Sequence, residues 1–155
     1  MMNAKKGRVL YVDDEEINLV NFRETLCDEF EIFLAGSGKE ALALLAREGE
    51  MALVVSDQRM PGMTGIELLS KVREAYPDTI RMIISAYTEI HELIDAINKA
   101  EVYRYFVKPW KEDQLRLTIG NAVGTYALGQ EIKQFVEQGR KQMAERMRSL
   151  EGEKG

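Results

Sequence analysis

Five short apolar runs punctuate the chain, at positions 8–12 (RVLYV), 31–35 (EIFLA), 51–55 (MALVV), 80–85 (IRMIIS) and 103–107 (YRYFV). Each is short and rich in aliphatic or aromatic side chains, which predicts buried strands. The segments between them carry apolar residues at helical rather than alternating spacing. A helix over 15–28 brings Ile17, Val20, Leu26 and Cys27 close to one stripe, which makes Cys27 a small buried apolar residue. Ser37, with Glu40 three residues on, fits a capping box for a helix over 39–47 that Gly49 ends. Thr64 caps a helix over 65–75 with Ile66, Leu69 and Val72 on one face, and Pro77-Asp78 then turns the chain. A shorter helix is predicted over 91–98. From Glu112 to about Leu150 the pattern is helical, and Leu115, Ile119, Ala122, Val123 and Tyr126 form a face suited to packing on a sheet.

Five strands alternating with five helices predict a parallel sheet with helices on both faces. Right-handed crossovers and short loops leave few topologies. The common one for this count is the flavodoxin-like order 2-1-3-4-5, with its switch point between strands one and three. The expected architecture is therefore α/β, a five-stranded parallel sheet with an extended C-terminal helix. Its domain covers residues 6–126, and 127–155 form a charged helical tail or linker. Apolar positions in the tail are sparse: Leu128, Ile132, Phe135, Val136, Met143, Met147 and Leu150. Their spacing hints at a coiled-coil seam, which Gly129 and Gly139 weaken. A linker helix, a dimerising coiled coil and a partly disordered segment all fit, the first most simply.

Composition narrows the class. The chain has 155 residues, of which 45% are apolar, enough for one packed core and some excess. Its net charge of −5 gives no electrostatic footprint for nucleic acid. One cysteine excludes an internal disulfide and a cysteine-rich zinc site. The start, MMNAKKG, has no apolar segment behind its lysines, so no secretory signal is expected. No apolar run approaches the ~18 residues of a membrane span. A cytoplasmic protein is the expectation. His91, the single histidine, reads as a solvated surface residue with no second metal ligand near it in sequence.

Chemistry enters at the strand ends. The first strand runs into Asp13-Asp14-Glu15-Glu16. Acids in a first helical turn meet the helix dipole favourably, which accounts for Glu15 and Glu16 but not for Asp13 and Asp14 side by side. Asp57 stands where the third strand runs out, ahead of a sharp loop marked by Pro61, Gly62 and Gly65. Taken alone, Asp57 reads equally as a turn-forming aspartate. In the order 2-1-3-4-5, however, Asp13, Asp14 and Asp57 meet at one rim, and strands four and five add Ser85 and Lys108 to it. Three carboxylates together repel unless a cation lies between them. Oxygen ligands with room for water suit Mg²⁺, with Mn²⁺ as a substitute. Asp14 and Asp57 would bind directly, and the backbone carbonyl of Arg59 would complete the protein ligands. A carboxylate flanked by a divalent cation and an ammonium suits nucleophilic attack on a phosphoryl group.

Asp13-Asp14, Asp57 with MPGMTG behind it, Ser85-Ala86 and Tyr105-Phe106-Val107-Lys108-Pro109 together resemble the receiver domain of two-component response regulators. The resemblance covers about residues 6–126. It implies that Asp57 accepts a phosphoryl group from the phosphohistidine of a sensor histidine kinase or phosphotransfer protein. It implies that Asp13 and Asp14 are the acidic pair, the first reaching the metal through water, and that Lys108 is the family's lysine. Ser85 matches the switch hydroxyl and Tyr105 the switch aromatic. Ser85 moving toward the phosphoryl group would let Tyr105 rotate inward and alter the face made by the fourth helix, fifth strand and fifth helix. Both residues also fit ordinary strand roles. The wording SDQRMPGMTGIELL with YRYFVKPW is similar to receivers placed ahead of HD-type phosphodiesterase or hydrogenase-type transcriptional activator outputs. Neither output is expected within this chain, so the output domain would be missing or separate, and a homodimer is open.

Three other readings compete. A binding-only receiver-like module would lack phosphorylation chemistry, against the full set of acids, hydroxyl and lysine. A Mg²⁺-dependent small-molecule phosphatase would need a lid or pocket, for which the loops leave little sequence. A flavodoxin-like cofactor binder would need a phosphate-cradling loop where the chain has DDEE. The expectation is a phosphoacceptor signalling domain whose only catalysis is its own phosphorylation and dephosphorylation.

Overall fold

The computed structural model describes residues 6–153, apart from the side chains of residues 87–92 and 153. The expectations for the MMNAK start and for the His91 side chain lie outside the described residues. The elements alternate as β1 (Arg8–Val12), α1 (Glu16–Leu26), β2 (Glu31–Ala35), α2 (Gly38–Glu48), β3 (Leu53–Asp57), α3 (Gly65–Ala75), β4 (Ile80–Ala86), α4 (Tyr87–Lys99), β5 (Arg104–Lys108) and α5 (Glu112–Glu153). The strands form one parallel sheet in the order β2-β1-β3-β4-β5. This is the expected topology, with β1 and β3 adjacent at the switch point.

Two-residue alternation along the strands divides the core into two faces. Leu10, Val12, Val54 and Ile83 face α2 and α3, where Leu44, Leu45, Leu68, Leu69 and Val72 meet them. Val9, Tyr11, Leu53, Val55, Met82 and Ile84 face α1 and α5, through Phe22, Leu26, Leu115, Ile119 and Ala122. All five residues of β3 are buried, as expected of a central parallel strand covered on both sides.

Helix starts follow their caps. The Ser37 hydroxyl accepts a hydrogen bond from the Glu40 amide at 3.1 Å. The Glu40 carboxylate reaches back to the Gly36 amide at 2.7 Å, one residue earlier than the usual box. Thr64 accepts from the Glu67 amide at 3.2 Å. Ser37→Ala should therefore lower stability by about 1 kcal/mol, read from the midpoint of urea unfolding at an unchanged slope.

Three expectations change. The buried side of α1 is the Phe22–Leu26 row with Leu19 against it, while Ile17 and Val20 are 67% and 43% exposed. Cys27 is exposed as well. Each residue step turns a helix by about 100°, so Val20 and Cys27, one position past Leu19 and Leu26, and Ile17, two positions before Leu19, leave the interface. Next, α4 starts at Tyr87, four residues before the expected 91, because Ala86 at its N-cap provides no side-chain bond to mark the start. Finally, β3 begins at Leu53 and extends to Asp57, and β5 is shifted by one residue to end at Lys108. Asp57 and Lys108 thus stand on the last residues of strands rather than just past them.

The last helix is continuous for 42 residues, about 60 Å at 1.5 Å per residue, and Gly129 and Gly139 do not interrupt it. Leu115, Ile119 and Ala122 are buried on the sheet as expected. Tyr126 then donates to the Glu50 carboxylate and Lys133 pairs with Asp78. Past Tyr126, the large apolar residues from Leu128 to Leu150 are exposed.

Candidate acidic phosphoryl-receiving site

Parallel pairing aligns the strand ends that carry the chemistry. Asp57 lies opposite Ile84, Ser85 opposite Val107, and Ala86 opposite Lys108. Asp13 follows β1 directly, its amide donating to the Ala35 carbonyl at 3.1 Å. Carboxylate oxygens of Asp13, Asp14 and Asp57 come within 4.8 Å of one another. Asp13 and Asp57 are buried and Asp14 is exposed. An all-oxygen, triply anionic cluster with one ligand open to water fits a hard divalent cation.

The Lys108 ammonium is seated between two of the acids, 3.2 Å from Asp57 Oδ1 and 3.3 Å from Asp13 Oδ2. Burial pulls its pKa down, but Asp57 and Asp13 outweigh that and the net shift is upward, so it is held as a cation. Burial raises the Asp57 carboxyl to about 6, the Asp13 charge adding to the effect and Lys108 opposing it. The Gln58 amide donates to Asp57 Oδ1 at 3.0 Å. The loop behind Asp57 is tied to α3, since the Gln58 side-chain oxygen accepts from the Ile66 amide at 3.0 Å and its carbonyl from Gly65 at the same distance.

The other expected residues are placed differently. Ser85 is fully buried near the end of β4. Tyr105 pairs with Ile83 and is 50% exposed, directed outward on the edge strand. Ile83, Ser85 and Tyr105 share one face of the sheet, because alternation puts residues two apart on the same side. Arg59 is exposed in the loop two residues beyond Asp57.

Two residues of the site escaped the sequence analysis. The Tyr11 hydroxyl donates to Asp13 Oδ2 at 2.6 Å, and Asn18 donates to the same oxygen at 3.1 Å. A signal existed for the first: Tyr11 precedes Asp13 by two residues, so alternation puts both on one side of the sheet. Asn18 sits in the first turns of α1, and only the three-dimensional packing reveals it.

A doubly wound sheet that brings an acid triad and a lysine together at the carboxyl ends of its strands suits phosphoryl chemistry beside a divalent cation. The chain belongs to the response regulator receiver domain family, whose profile matches residues 9–120. Its relatives include the hydrogenase transcriptional regulatory protein HoxA of Cupriavidus necator, 42% identical over 82% of this chain and 26% of that one. Among solved structures, the signal receiver domain of an HD domain-containing protein from Pseudomonas fluorescens aligns with a TM-score of 0.74 and 31% identity. That match covers 79% of this chain and 98% of the other. An adenylate cyclase structure from Rhodopirellula baltica aligns at 0.80 with 26% identity, over 85% of this chain and 98% of that chain. The chain spans about a quarter of the length of the HoxA proteins it matches. Among the described residues, no helix is long and apolar enough to cross a membrane.

Proposed function

We propose that Asp57 is the aspartate that takes the phosphoryl group, that the reaction requires Mg²⁺, and that the donor is the phosphohistidine of a sensor kinase or phosphotransfer protein. The observation that carries this reading is Lys108, a buried-edge cation within 3.3 Å of both Asp57 and Asp13 at the end of the sheet. Asp14 and Asp57 would hold the metal directly, with the Arg59 carbonyl, and Asp13 through water. When bound, Mg²⁺ supplies positive charge that offsets the acids and the transferring oxygens. The protein's own part is positional. The Gln58 amide and Lys108 orient the Asp57 carboxylate toward the phosphorus, whose bond to the donor nitrogen breaks as the carboxylate bond forms. Lys108 then lies beside the new phosphoryl oxygens and offers them a point charge.

In this reading residues 6–126 are the phosphorylated domain and the remainder a helical linker toward an output partner or domain. Phosphorylation draws Ser85 toward the site and lets Tyr105 turn inward, which shifts the population of the α4-β5-α5 face. No activity on other molecules is assigned, and a cytoplasmic location accords with the reading. The test is intact mass after incubation with acetyl phosphate. One phosphoryl adduct should form with Mg²⁺ and none when the cation is chelated. A folded protein that gains no adduct under either condition would be a binding-only module.

A further inference from the structure

Asp13 is unusually well supplied with donors. Its Oδ1 accepts from the Glu15 amide at 2.9 Å. Its Oδ2 accepts from the Tyr11 hydroxyl at 2.6 Å, from Asn18 at 3.1 Å and from Lys108 at 3.3 Å. A carboxylate offers about four lone-pair sites over both oxygens, so protein donors take up its capacity. Tyr11 is the shortest of these contacts and is neutral. Its ring cannot drift away, because it is fully buried, stacks on Phe22 at 4.2 Å and meets the edge of Trp110 at 6.1 Å.

We infer that the Tyr11 hydroxyl is an internal competitor for Asp13 that lowers the divalent-cation affinity of the acid cluster. A hydrogen bond from a neutral donor draws charge from the carboxylate and occupies a lone pair that metal-bound water would otherwise use. Removal of the hydroxyl leaves Asp13 oriented by Glu15, Asn18 and Lys108 but makes it a stronger acceptor. Tyr11 is thus a positioning residue that sets the cation concentration at which the site becomes competent. The inference rests on the proposed metal-dependent phosphorylation.

The test compares wild type with Tyr11→Phe, which keeps the ring and its stacking. Mg²⁺ affinity is measured by calorimetry on the full chain, and phosphorylation by acetyl phosphate is followed across a Mg²⁺ series. The variant should bind Mg²⁺ about five-fold more tightly. Its half-saturating Mg²⁺ for phosphorylation should fall by the same factor. Metal-free Tyr11→Phe should melt lower than wild type, and added Mg²⁺ should raise its melting temperature by more. Asn18→Ala removes the other neutral donor to Oδ2, from a half-exposed side chain, and should shift affinity in the same direction, which preserves the test if Tyr11→Phe folds poorly. Unchanged or weaker Mg²⁺ binding in both variants, with wild type binding normally, overturns this inference alone. A wild type that binds no Mg²⁺ overturns the metal reading and this inference with it.

Discussion

Asp57→Asn should take up no phosphoryl group from acetyl phosphate at any Mg²⁺ concentration, yet it should unfold at higher urea than wild type in metal-free buffer at pH 7.5. The first half follows from chemistry, since an amide oxygen is too weak a nucleophile to replace a carboxylate. The second follows from the site's electrostatics. Asp57 is only 7% exposed, and its carboxyl rises from 3.8 to about 6 through burial and the nearby Asp13 charge. The folded state therefore holds the proton more tightly than the unfolded chain. Stability falls as pH climbs from about 4 to 6, and above that range the full cost of the ionised group remains, about 3 kcal/mol for a shift near two units. Asparagine keeps the volume and removes the charge, but it forfeits the Lys108–Asp57 pair. A net gain of about 1–3 kcal/mol is expected at pH 7.5, shrinking toward zero near pH 4. Urea midpoints at the two pH values and intact mass check both halves. An adduct on the variant would place the acceptor elsewhere. A loss of stability would mean that the lysine contact outweighs desolvation.

The same features explain how far the sequence could be read. Asp13, Asp14, Asp57 and Lys108 converge because a topological rule, not side-chain detail, brings the carboxyl ends of β1, β3 and β5 to one rim. Ser37 and Thr64 mark α2 and α3 because their side chains bond the first-turn amides. No such mark precedes α4, so its start was legible only in three dimensions. Ile17, Val20 and Cys27 mislead for a different reason. An amphipathic helix with several spare apolar residues admits more than one stripe, and the stacking of Phe22 on Tyr11 selects the true one. Tyr11 itself reads as strand filler until its hydroxyl is seen on Asp13. The relation of Ser85 to Tyr105 also hides in the sequence, because one-sidedness follows from register while the outward direction of Tyr105 depends on its rotamer.

Gly65→Ala should be the most damaging single-methyl change in the loop behind Asp57. A Cβ at this position would stand 2.3 Å from the Asp57 carbonyl oxygen and 2.6 Å from Ile83 Cδ1. The first neighbour is backbone and cannot swing aside. It is also the peptide of the proposed acceptor, held by the Ser56 hydroxyl at 2.8 Å. Alanine is the better helix former by about 1 kcal/mol, but relief of a backbone clash this short is expected to cost about 3 kcal/mol or more. The start of α3 must then move off the strand end, stretching the Gly65–Gln58 bond that ties the loop down. Misplacement of the carboxylate by about 1 Å is enough to slow phosphoryl uptake roughly a hundred-fold. Gly62→Ala is the control. Gly62 has φ of 83° with nothing within 4 Å of an added Cβ, so strain of about 1–2 kcal/mol is its only cost and the uptake rate should hold. Urea unfolding and the initial rate of adduct formation separate the two variants. If Gly65→Ala matched Gly62→Ala in both, close contact between α3 and the Asp57 peptide would not be what holds the acceptor in place.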